Sequence, residues 1–236
     1  MTKQADFNPR RDPMKTVFFT ITALLFSLNA SAATMQVSYP HLASVQYSYY
    51  GTNGSWNHVS GSATEFDIKL NGITLSGVDW NDFFTTAYCV DLEHTINATT
   101  YSNVTLSPLT SGSSYLQAAW LMDRWGADAS GNAQKEAGLQ LAIWDSVYGD
   151  GFNNLTGGQI GSYYSSYFQS LPGDDLWTSL RNHYAIAYTY DSQGGKKQDL
   201  LVQLNPVPEP GTLLLVGMGI AGLGVAGRKR LKSKKQ

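Results

Sequence analysis

Near residue 114 the hydrophobic pattern of this chain changes period, and no single class of secondary structure can satisfy both sides of the change. Between residues 36 and 106, segments 37–39, 45–50, 65–70 and 104–106 alternate with period two or are rich in β-branched and aromatic residues. That is the pattern of strands with one buried face. Turn signals separate them at 51–54, 60–62 and 71–72. Beyond residue 114, Tyr115, Leu116, Ala119, Trp120 and Met122 recur at helical spacing, as do Ala137, Leu141, Trp144 and Tyr148. The stretch from Gly126 to Asn132 is expected to be the loop between these two helices. Residues 163–169 are expected to form a third helix. Residues 175–182 are expected to form a fourth, capped by Asp174. Strands are expected again at 184–190 and 200–204. The fold class is therefore α+β: a β-rich, sandwich- or barrel-like body with a helical insertion.

Both ends of the chain differ from this middle. Met14-Lys15 opens an apolar run to Leu28, followed by small residues at Ala30, Ser31 and Ala32. This is the layout of a secretory signal peptide, so residues 1–32 are assigned to it, with Met14 as an alternative start. The apolar run is short for a transmembrane helix. At the other end, Pro208-Glu209-Pro210 leads into a single uncharged apolar helix expected over 211–227. Arg228, Lys229 and Arg230 then begin a basic tail with six positive charges in eight residues. The apolar span is at the lower limit for crossing a bilayer, and the basic tail would hold that end in the cytoplasm.

Residues 33–205 remain as the extracellular domain. Between Ala33 and Val207, six Lys and Arg face fifteen Asp and Glu, a net of −9 that the overall −2 conceals. An acidic domain without a basic patch argues against nucleic acid as a partner. Among chemical motifs, no P-loop or dinucleotide fingerprint occurs. His41, His58, His94 and His183 are scattered without metal-ligand spacing. Asp128, Asp145, Asp150, Asp174 and Asp175 lack the spacing of a calcium loop, and 145–151 reads as a helix end and turn. No metal, cofactor or catalytic residue is assigned, and the chain is not read as an enzyme. The many Tyr and Trp residues could line a glycan groove, although such residues more often build a core.

Cys89 is the only cysteine in 236 residues. Exported proteins normally use cysteines in pairs, so a lone one needs an explanation. An inert buried thiol on an interior strand is the plainest, since Tyr88, Val90 and Leu92 flank it. A cysteine hydrolase would need His94 or His183 as a base, and the sequence around Cys89 is no strand-to-helix elbow. A third possibility involves Gln140, a polar residue in the apolar helical stretch 138–145. A buried glutamine must find partners for its amide. Attack by the Cys89 thiolate on that amide would expel ammonia and leave an internal thioester.

Two resemblances bear on these alternatives. The order Pro208-Glu209-Pro210, apolar span and basic tail resembles the PEP-CTERM sorting signal of Gram-negative bacteria. That resemblance implies processing by an exosortase, a membrane-anchored stage, and delivery to the cell envelope, surface or extracellular matrix. Separately, Tyr88-Cys89-Val90-Asp91 followed by Gln140-Leu141-Ala142-Ile143-Trp144 resembles the paired motifs of thioester domains in Gram-positive surface adhesins. This second resemblance implies Cys89 as the thiol and Gln140 as the acyl donor, with Tyr88 and Trp144 shielding the bond. Leu139 stands where that family usually has threonine, and the sorting signal is of a different type. The expected function is covalent attachment to an amine-bearing surface or matrix polymer, in adhesion or matrix anchoring within a biofilm. The alternative is a non-covalent structural or glycan-binding matrix protein with Cys89 as inert core.

Overall fold

A computed structural model describes residues 33–111, 113–172 and 178–204. The expected signal peptide over 1–32, the motif Pro208-Glu209-Pro210, the helix expected over 211–227, the basic residues Arg228, Lys229 and Arg230, and the expected cap Asp174 all lie outside the described residues.

Strands come first: β1 (Thr34–Ser38), β2 (Ala43–Tyr50), β3 (Trp56–Ala63), β4 (Phe66–Asn71), β5 (Ile73–Leu75), β6 (Val78–Trp80), β7 (Phe83–Cys89), β8 (Thr100–Tyr101) and β9 (Asn103–Pro108). Helices α1 (Ser114–Ala129) and α2 (Ala133–Tyr148), strand β10 (Phe152–Asn154) and helix α3 (Gly158–Gln169) follow, then strands β11 (Tyr184–Tyr190) and β12 (Leu200–Gln203). A β-rich body with a helical insertion is what the change of period anticipated.

Seven strands form one antiparallel sheet in the order β8-β1-β4-β7-β12-β11-β9. Its two edge strands, β8 and β9, are separated by a single residue, Ser102. One extended segment thus pairs with β1 through its first half and with β11 through its second. This bend brings the sheet nearly to closure as a barrel and leaves little open edge. A second sheet, β10-β2-β3, is also antiparallel. Strands β5 and β6 form a hairpin whose two loop residues, Ser76 and Gly77, both have positive φ, the geometry that suits the twist of a tight hairpin.

Burial shows why some strands alternate and others do not. In β4, Phe66, Ile68 and Leu70 are buried while Asp67 is exposed, so one face is covered. In β11 the first four residues are all buried, because both faces are covered. Ala185 and Ala187 belong to one apolar cluster with Met35, Leu70 and Val202; Tyr184 and Ile186 belong to another with Leu116, Leu121 and Ile143. Helix α2 contributes to both: Ala137, Leu141 and Trp144 enter the first, Leu139, Ala142 and Ile143 the second. Ten of its sixteen residues are buried, which makes it a core element instead of a surface helix. Its close contact with α3 depends on Gly138, where a Cβ would stand 2.6 Å from that of Tyr163.

Three expectations need correction. The stretch from Gly126 to Asn132 is not a loop throughout. Helix α1 runs on to the buried Ala129, and only Ser130, Gly131 and Asn132 connect the helices. Alanines at 127 and 129 favour continuation, and Asn132 caps α2 by accepting the N–H groups of Gln134 and Lys135. Residues 60–62 are not a turn but lie inside β3, paired across β2 with Val45 facing Gly61. Over 60–62, main-chain pairing with β2 holds the strand with no apolar side chain to announce it. The fourth helical segment is, over its described part, a short 3-10 turn at Thr178–Asn182.

Candidate functional site

Cys89 ends β7, beyond the last pair of the β4–β7 ladder, Phe66 with Ala87. On the other side of β7, Val90 N–H donates to the Asp199 carbonyl at 3.0 Å. Because main-chain groups alternate along a strand, those of Cys89 point away from β12, to where β4 no longer offers a partner. Gln140 fills that place. Its Oε1 accepts the Cys89 N–H at 2.8 Å, and its Nε2 donates to the Cys89 carbonyl at 2.8 Å. One side-chain amide thus substitutes for a strand. Both residues are buried to within 1% exposure.

The thiol is held as tightly. Its Sγ lies 3.0 Å from the Asp91 carbonyl, to which it donates, and 3.4 Å from the Asp91 N–H, which it accepts. Burial pushes the thiol well above its usual range, opposed by the nearby Trp144 indole and the Asp91 main chain. Trp144 Nε1 is buried and makes no hydrogen bond of good geometry; its influence on the thiol is one of proximity. A cysteine so placed is a thiol, not a thiolate, at neutral pH.

Trp144 shares an apolar cluster with Cys89, together with Tyr47 and Phe152, and its ring lies 4.8 Å from that of Tyr47. Tyr88 does not join them. As its neighbour on β7 it faces the other cluster, fully buried, with its hydroxyl donating to Glu65 Oε2 at 3.2 Å. His94 Nδ1 lies 2.8 Å from Asp91 Oδ2, while the hydrogen bonds of the thiol go to the Asp91 main chain. His183 is exposed just before β11.

Two groups of polar residues leave no signal in the sequence. Asp91 and Asp199 both pair with Lys196, at 3.3 and 3.1 Å. Burial pulls the Lys196 ammonium down, but Asp199 and Asp91 outweigh it and its pKa is raised; burial raises that of Asp199. On the far side of β7, Glu65 accepts from Tyr88 and from Ser130 Oγ, the latter at 3.0 Å, while Glu136 accepts from Gly131 N–H at 2.8 Å and Thr64 Oγ1 at 3.1 Å. Lys196 and Asp199 are three apart, a spacing too common to attract notice. The residues of the second group come from four separate stretches of chain, which only folding unites.

Comparison with known proteins identifies one segment. Residues 206–230 match the PEP-CTERM protein-sorting motif. This motif marks a protein that is exported, passes through a membrane-anchored stage and is sorted to the cell surface by an exosortase. No curated protein sequence and no solved structure gives a significant match to the chain.

Proposed function

We propose that this exosortase-sorted protein captures amine-bearing targets covalently through an internal thioester between Cys89 and Gln140, as an adhesion or matrix-anchoring device. The observation that carries this reading is the double hydrogen bond between the Gln140 amide and the main chain of the residue that bears the only thiol.

The arrangement suits the chemistry. When Sγ attacks Cδ of Gln140, negative charge develops on Oε1, and the Cys89 N–H already donates to that atom. A Cδ–S bond forms, the Cδ–Nε2 bond breaks, and the thiol proton leaves with the amide nitrogen as ammonia. A primary amine then attacks Cδ, forming an amide with Gln140 and returning the thiol to Cys89. Each molecule acts once. Burial keeps water from the bond, and Trp144 and Tyr47 supply aromatic cover on the thiol's side.

A second reading has its own support. Both polar atoms of the Gln140 amide have a hydrogen-bond partner, so its burial requires no reaction, and the raised thiol pKa suits an inert core cysteine. In that reading the work falls to exposed aromatics such as Tyr50 and Trp56, whose rings meet edge to face 5.9 Å apart at one end of the small sheet.

Intact mass of the purified full chain separates the two. Covalent capture requires a mass short by one ammonia, recovered as a methylamine adduct on Gln140 and absent in Cys89→Ala. An unmodified mass with one thiol per chain would leave only the second reading.

A further inference from the structure

The three-stranded sheet β10-β2-β3 ends on one side in β3, eight residues that pair with β2 alone. At the turn end of the β2–β3 ladder, Gly51 N–H donates to the Ser55 carbonyl at 2.9 Å. Main-chain groups alternate in direction from that pair onwards. Those of Asn57, Val59 and Gly61 therefore meet β2, while those of Trp56, His58, Ser60 and Ser62 point to the open side. The β2 strand agrees: Gln46, opposite Ser60, turns its main chain away from β3, to Leu155 N–H and Thr156 Oγ1. Among the described residues nothing pairs with the main chain of the four outward residues of β3, and all four are exposed.

An open edge of this length is ordinarily protected by lysine, proline, charge or a bulge. Strand β3 contains no Asp, Glu, Lys, Arg or Pro, and its eight pairs with β2 run without a bulge. Asp, Glu, Lys and Arg are also absent from Gln36 to Thr64 and from Phe152 to Gly173, so the whole small sheet is uncharged within a domain of net −9. Two acidic copies meet least repulsion where neither carries charge.

The outer face of β3 is self-complementary as well. Trp56, 47% exposed, stands at one end of the strand. At the other, Ser60 and Ser62 border a groove of about 490 Å3 together with Ser44, Gln46 and Thr156. Trp56, Ser60 and Ser62 share one face of the strand. Antiparallel self-pairing about a two-fold axis at Val59 sets Trp56 opposite the other copy's Ser62, and His58 opposite its Ser60. Each indole then meets the other copy's groove, and every outward N–H and C=O finds a partner.

We infer that β3 is a dimer edge, which joins two copies of this chain antiparallel about Val59 and unites their small sheets into one. The inference goes beyond both functional readings and rests on neither; for either, pairing makes the protein bivalent.

The test is sedimentation equilibrium of the full chain in mild detergent, so that the apolar stretch 211–227 does not itself drive association. A concentration-dependent equilibrium between monomer and dimer is expected. Ser60→Pro should weaken it about tenfold, since each dimer loses two main-chain hydrogen bonds. The monomer should keep its circular dichroism, because the Ser60 N–H has no partner within the chain and an edge strand accepts proline there. In the Cys89→Ala background, Val59→Cys should form a disulfide between copies under mild oxidation. Residues facing each other across the axis come about 4.5 Å apart at Cα, within disulfide reach. Ser44→Cys, exposed on the same sheet but away from the edge, should not. A chain monomeric at all concentrations, a dimer indifferent to Ser60→Pro, or linkage no stronger through position 59 than through position 44 would overturn the inference. The linkage comparison decides the matter even if the proline variant fails to fold.

Discussion

The side-chain amide of Gln140 meets both main-chain polar groups of Cys89, N–H to Oε1 and Nε2–H to C=O, at 2.8 Å each. This contact ties α2 to the end of β7 where the strand ladder stops. It has a structural and a chemical consequence, and these can be separated.

Gln140→Leu leaves two buried main-chain groups of Cys89 without partners, each costing about 1–3 kcal/mol. Cys89→Ser keeps both hydrogen bonds. Urea denaturation should show a large loss for the first and a small one for the second, while both abolish methylamine incorporation. Equal stability losses would mean that the amide contact contributes little to the fold.

Under covalent capture, the native chain should yield no titratable thiol even in denaturant until methylamine has opened the bond. Under the inert-core reading, one thiol reacts promptly on unfolding and only slowly before it, because burial raises its pKa and blocks access. Thiol titration in urea, with and without prior methylamine, distinguishes them.

Glu65 should make stability depend on pH. Burial, opposed chiefly by the Ser130 hydrogen bond, raises its pKa from 4.5 to about 7. The folded state therefore holds a proton that the unfolded state releases, and stability falls as pH rises from about 4.5 to about 7, then levels off. The full effect is at most about 3 kcal/mol. Glu65→Gln should flatten this part of the profile, as read from urea midpoints at a series of pH values. An unchanged slope would assign the titration to another group.

Gly138→Ala should destabilise the chain by about 1–3 kcal/mol through overpacking between α2 and α3. The new Cβ would come 3.0 Å from the Tyr164 main-chain nitrogen as well as 2.6 Å from the Tyr163 Cβ. Thermal unfolding measures the loss. Methylamine incorporation per folded molecule should be unaffected, since Gly138 does not contact Cys89.

Much of the fold could be read from periodicity, and the failures have a common cause. Strands β4 and β11 and helices α1 and α2 show themselves because apolar residues recur at the spacing of a covered face. Strand β3 does not, because its apolar residues are broken by Ser60-Gly61-Ser62, a stretch held by main-chain pairing with β2, which leaves no mark on composition. The Ser-Gly-Ser segment, a turn by its composition, belongs to it for that reason. At the end of α1, Gly126 and Asp128 suggest a loop, whereas the buried Ala129 keeps the helix going.

The candidate site divides along the same line. Local chemistry alone determined that Cys89 lies on an interior strand, that Gln140 lies in an apolar helix, and that the chain carries a sorting motif, since each depends on neighbours along the chain. Which atoms meet was decided only by tertiary structure. The ladder between β4 and β7 stops short of Cys89, leaving main-chain groups that the Gln140 amide satisfies. Alternation along β7 turns Tyr88 away from the thiol while Trp144 is brought beside it. Asp91, Lys196 and Asp199 converge because β12 pairs with β7. Hydrogen bonds and ion pairs act over a few ångströms of space, whatever the separation in sequence, so their partners emerge only when the chain is packed.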